Sequence, residues 1–176
     1  MSKIKKSTHF DLKTMALVGV LLAMQIVLAR VLSISLWNLR IGFSFIPVFI
    51  AARKFGPMEA AVVAGLGDFL GAILFPVGPY FPGFTVTAVL MALSNGFFFH
   101  KKCTLGRISL SVIINQIGGS LLLNSLWLSI LNRTPYVPLL ATRVYQMVVM
   151  TVVQIVVAQL ILIKSKNVLA RLSAGA

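Results

Sequence analysis

The sequence predicts an all-α membrane protein of six transmembrane helices with both termini in the cytosol. Three observations carry that prediction. Apolar residues make up 59% of the 176-residue chain and charged residues only 11%, with a mean hydropathy of +0.98; a soluble domain of this size carries far more charge. The apolar residues form continuous runs near the ~20 residues a helix needs to cross a bilayer, without the alternation of barrel strands. Basic residues cluster in every second connector, which is the positive-inside distribution.

The runs span about 13–37, 40–52, 58–77, 84–99, 108–131 and 142–163. The basic leader Met1 to Lys13 resembles the start of a signal peptide. The apolar stretch that follows, Met15 to Trp37, is too long for one and lacks a small-residue cleavage site, so it reads as a retained span. The second run is short and holds Pro47, which predicts a kinked, tilted or partly spanning helix. No Ser- or Gly-rich linker divides the chain, so residues 1–176 form a single membrane domain.

Orientation follows from charge. Lys3, Lys5, Lys6 and Lys13 precede the first run, and Arg53 and Lys54 follow the second. Lys101, Lys102 and Arg107 follow the fourth, and Lys164, Lys166 and Arg171 follow the sixth. All of these fall on one side, the cytosolic one. The outer connectors are then Ser35 to Leu39, Gly78 to Gly83 and about Asn132 to Ala141, where Trp37, Tyr80, Phe81 and Tyr136 also fit an interfacial belt.

The net charge of +13 does not indicate a nucleic-acid partner, because the basic residues are scattered among short loops instead of lining one face. The lone Cys103 excludes an internal disulfide and a Cys-rich metal site. No phosphate loop, HExxH motif or paired carboxylates are present, and His9 and His100 both lie in cytosolic segments. Composition therefore argues against an enzyme and against a metal or cofactor bound by this chain.

Four arginines remain outside the cytosolic set: Arg30, Arg40, Arg133 and Arg143. With only three carboxylates in the chain, they point to an anionic ligand, since a guanidinium fork matches the two oxygens of a carboxylate. Arg30 either snorkels outward or faces a polar cavity. Arg40 and Arg143 stand at outer span ends, and Arg133 reads as solvated. Asp68, in Gly65-Leu66-Gly67-Asp68-Phe69-Leu70-Gly71, is an expensive intramembrane acid. It accepts either ligand amines or a structural donor. Glu59 opens a helix, where the macrodipole favours it. Asn115, Gln116, Asn124, Gln146, Gln154 and Gln159 are interior amides; Asn124 and Gln146 lie nearer the outer side, facing either a neighbouring helix or a pocket. In Phe75-Pro76-Val77-Gly78-Pro79-Tyr80-Phe81-Pro82-Gly83-Phe84-Thr85 the prolines and glycines predict an irregular turn. Its aromatic rings either cap a flat heterocycle or sit in the interface. Ala16, Gly19 and Ala23 share one face of the first helix, a small-residue surface for another helix of this chain or for a separate subunit.

These segments together, with Leu39-Arg40-Ile41-Gly42-Phe43-Ser44-Phe45-Ile46-Pro47, resemble the substrate-binding S components of energy-coupling factor (ECF) vitamin transporters, most closely those for folate. The resemblance runs along nearly the whole chain, and Gly78 to Thr85 is its most specific part. It implies an outward-facing pocket capped by outer loops and a high-affinity folate site. It also implies a bacterial cell-membrane location and docking to a membrane coupling subunit driven by two cytosolic ATPases, which use the ATP. The small-residue face implies a contact with the coupling subunit through Ala16, Gly19 and Ala23; Gly19 replaces the alanine common in the family but is equally small. For a folate ligand, Arg40 or Arg143 would take the carboxylates, Asp68 the ring amines, and Phe81, Pro82, Gly83, Phe84 and Thr85 the cap, with Asn124 and Gln146 facing the pocket. The competing readings are an ion-coupled carrier for an organic anion, which would use intramembrane acids, an S component for another vitamin, and a structural subunit without a ligand.

Overall fold

The computed structural model describes residues 12–31, 33–36, 39–76, 79–100 and 104–173. Trp37, Asn38, Val77, Gly78, Cys103, His9 and the first lysines lie outside the described residues. Helix α1 (Leu12–Arg30) ends at Arg30, whose charge suits a helix C-terminus. The first run was expected to stay helical to Trp37. Instead, Ile34–Leu36 (β1) pairs antiparallel with Leu39–Ile41 (β2), with Ser35 opposite Arg40. The cause is visible in the pattern Leu32-Ser33-Ile34-Ser35-Leu36, which alternates apolar and polar residues with the period of a strand. Arg40 thus belongs to a hairpin and not to the start of a span.

Helix α2 (Phe45–Lys54) has ten residues, about 15 Å of rise, half of a ~30 Å hydrocarbon core. Pro47 falls in its first turn, where no intrahelical N–H is lost. The turn into α3 (Pro57–Leu74) needs Gly56 at φ 126°, with Pro57 opening the helix. Helix α4 (Pro82–Phe99) also opens on a proline, so the expected irregular stretch becomes helical two residues earlier than the predicted start at Phe84.

The fifth run is a 28-residue rod, Leu105–Asn132. It comprises α5 (Leu105–Ile114), a π-helical segment Asn115–Leu123 and α6 (Asn124–Asn132). Arg133 closes it at φ 53°, in the left-handed conformation that ends helices. The outer connector expected over 132–141 is short, because α7 (Tyr136–Ser173) begins at Tyr136 with Pro138 in its first turn. Pro57–Leu74, Pro82–Phe99, Leu105–Asn132 and Tyr136–Ile161 are long and apolar enough to cross a membrane, and Thr14–Arg30 is a shorter apolar helix.

The packed core sits at one end of the bundle. Phe49 meets Phe99 edge-on at 5.2 Å, beside the buried Ala51, Ala52, Val63, Ile108 and Val112. There Arg53 donates to the carbonyls of Phe99 and His100 at 3.0 and 2.9 Å, tying α2 to the end of α4. A Cβ at Gly96 would collide with the Pro57 backbone, so this glycine sets how closely α4 crosses the start of α3. A cavity adjoins this core and shares Val48, Phe49, Ala64 and Ala92 with it.

Candidate binding site

The cavity has a volume of about 790 Å³ and is lined from α1, α2, α3, α4, the π-helical segment, α6 and α7, with Ser33 and Gly42 contributing from either side of the hairpin. The lining residues form ladders at helical spacing: Gln25, Ala29 and Arg30 from α1, Ala64, Asp68 and Ala72 from α3, Leu139, Arg143, Gln146, Met150 and Gln154 from α7. In the rod the ladder runs Asn115, Ser120, Asn124, Leu128. The first step is five residues, the stride of the π segment, and the later steps are four. Gly118 and Gly119, both weak helix formers, lie in that segment. A Cβ at Gly119 would stand 2.5 Å from Met91 Sδ.

Asp68 projects from α3 into this space, and Thr85 donates to its Oδ2 at 2.7 Å. The Tyr80 hydroxyl lies 3.0 Å from Thr85 Oγ1. A threonine has one hydroxyl proton, and here it is committed to the carboxylate. Tyr80 is therefore the donor, and the relay runs Tyr80 to Thr85 to Asp68. It fastens the segment before α4 to α3. Tyr80 also packs edge-on against Phe69 at 5.9 Å.

Phe81 and Phe84 line the cavity, 6.3 Å apart at 78°. Trp127 on α6 lies behind Phe81 at 5.5 Å and donates to Thr87 Oγ1 at 3.0 Å, while Thr87 donates to the Gly83 carbonyl at 3.0 Å. A Cβ at Gly83 would stand 2.5 Å from the indole, so Gly83 is the seat of Trp127. Pro82 is exposed at the helix start.

Arg143 lines the cavity from α7 and donates to the buried Ser125 at 3.4 Å. Arg30 lines it from α1, lying against Gly71, so of its two readings the structure takes the cavity-facing one. Arg40 is placed by its backbone, and its side chain lies outside those described. Arg133 is exposed in the connector. Asn124 and Gln146 both line the cavity. Ala16, Gly19 and Ala23 are exposed along α1, and a Cβ at Gly19 would meet nothing within 4 Å, so this face is turned away from the rest of the chain.

Sequence reasoning did not single out Gln25, Asn95 or Trp127. Asn95 accepts from Ser111 Oγ and from Asn115 Nδ2, each at 2.8 Å, forming an amide floor above the core. The available signal was the rarity of an amide within an apolar run; its direction needed the packing.

The model of the family described as "ECF transporter, substrate-specific component" matches residues 13–168. The chain belongs to that family. Relatives of this substrate-specific component include the "Folate transporter FolT" of Clostridium novyi (strain NT), 40% identical over 74% of this chain and 76% of the relative. The "Folate transporter FolT" of Leuconostoc mesenteroides is 31% identical over 72% and 69%. A solved structure described as "Crystal structure of FolT bound with folic acid" superposes with a TM-score of 0.82, at 30% identity, covering 88% of this chain and 95% of that one.

Proposed function

We propose that this chain is the folate-binding S component of a bacterial ECF importer. The observation that carries the reading is one cavity holding an aromatic wall, a carboxylate and two guanidiniums, in a chain that superposes along most of its length on a folic-acid-bound relative. Folate has a flat heterocycle, an aryl linker and two carboxylates. The volume of about 790 Å³ lies within the roughly 300–1,000 Å³ of small-molecule sites. Phe81 and Phe84 offer faces to the rings, and Arg143 and Arg30 offer donors to the carboxylates. The importer belongs in the bacterial cell membrane, with the Arg53 and Arg107 end towards the cytosol and the cavity opening outward through six membrane-embedded helical segments. The exposed Ala16, Gly19 and Ala23 face then docks a coupling subunit worked by two ATPases, and ATP is spent there and not in this chain.

Equilibrium binding of radiolabelled folate to the purified chain tests the reading. The wild-type chain and an Arg133→Ala variant bind alike, and Arg143→Ala loses about 10- to 100-fold in affinity, the scale of one hydrogen bond to a charged group. Absence of folate binding by the wild type refutes the proposal.

A further inference from the structure

The wall between α1 and α3 carries a polar group that no comparison assigns. Gln25 is 6% exposed and lines the cavity. Its Nε2 donates to the Ala64 carbonyl at 3.3 Å, while Oε1 accepts no hydrogen bond among the described residues. The amide cannot simply turn over, because that would set its oxygen against the Ala64 carbonyl. Buried polar atoms are almost always satisfied, and one left over asks for a partner.

The unsatisfied oxygen is held in place by a glycine. A Cβ at Gly67 would stand 2.5 Å from Gln25 Oε1, 2.6 Å from Cδ and 3.0 Å from Nε2, so the whole amide lies flat on the α3 backbone. One turn along, a Cβ at Gly71 would stand 3.2 Å from Arg30 Nε and 3.7 Å from Nη2. A Gly-x-x-x-Gly spacing ordinarily lets two helix backbones meet. Here it seats the two polar side chains that α1 sends to the cavity, on either side of Asp68.

We propose that Gln25 is a ligand-binding residue whose Oε1 accepts an N–H from the heterocycle of the ligand, and that Gly67 is its positioning residue. The inference rests on the folate reading and deepens it. Ala64 belongs to the packed core, and Gly67 lies nearer to it than Gly71 by one turn of α3, or about 6 Å. The neutral acceptor therefore sits deeper than the Arg30 guanidinium, and the ligand enters ring first with its carboxylates behind. The N–H at the far tip of a folate heterocycle is the exocyclic amine, and Gln25 takes that group.

The test measures the affinity of the purified full chain for folate and for its 2-desamino analogue, by titration calorimetry. The wild-type chain prefers folate by roughly tenfold, since the analogue leaves the acceptor buried and unpaired. Gln25→Met, unbranched and of similar length, lowers folate affinity to that of the analogue and leaves analogue affinity within about twofold. Gly67→Ala, which pushes the amide aside, collapses the ratio in the same way. A Gln25 that only glues α1 to α3 weakens both ligands equally, and a preserved ratio in either variant overturns the proposal. A wild-type chain that binds both ligands without preference also overturns it, whether or not the variants fold. A wild-type chain that binds neither removes the folate reading and this inference with it.

Discussion

Removing the Thr85 hydroxyl tests the relay that fastens the segment before α4 to α3. Thr85→Val keeps the shape of the side chain and deletes its donor to Asp68 at 2.7 Å. A bond to a charged acceptor is worth about 1.5–3 kcal/mol, and the part-buried setting of this one supports about 2 kcal/mol on that scale. For a chain of this length, 1 kcal/mol moves the unfolding midpoint by about 2–4 °C, giving a fall of roughly 4–8 °C. Tyr80→Phe deletes the outer link, a neutral and exposed bond at 3.0 Å. Its loss costs about 0.5 kcal/mol, or roughly 1–2 °C. Because Tyr80 acts through the Thr85 oxygen, the double variant unfolds where Thr85→Val alone does, and the two changes do not add. Thermal unfolding in detergent, followed by tryptophan fluorescence, reads all three. Additive shifts, or a larger effect of Tyr80→Phe than of Thr85→Val, would refute the relay.

Trp127→Phe breaks the 3.0 Å bond to Thr87 and loosens the backing of Phe81; folate affinity falls by about three- to tenfold on the scale of one neutral hydrogen bond, read by the same calorimetry. Gly83→Ala displaces the indole and has at least the effect of Trp127→Phe. Gly96→Ala drives a Cβ into the Pro57 backbone and is the most destabilising of these changes, by about 3 kcal/mol, visible as a lowered unfolding midpoint. Leu at Ala16, Gly19 or Ala23 leaves folate binding intact, because that face touches nothing in the chain at Gly19; it abolishes co-purification with the coupling subunit, and an undisturbed complex would show that docking uses another surface.

What could be read from the chain alone was its relation to solvent. Continuous apolar runs report on a bilayer, and they are properties of each segment taken singly. The strand period in Leu32 to Leu36 was equally local and legible, but it was overridden by the length of the apolar run around it. Direction within the bundle is a different kind of fact. Whether Arg30 snorkels or turns inward depends on Gly71 leaving room across the α1–α3 interface. Whether Asp68 meets an arginine or a hydroxyl depends on Thr85, seventeen residues away. The π segment, which sets the stride between Asn115 and Ser120, has no composition of its own beyond two glycines. Sequence assigned these residues to helices; only the packing of one helix on another decided which of them share a cavity, because a side chain's direction is set by its neighbours' volume and not by its own chemistry.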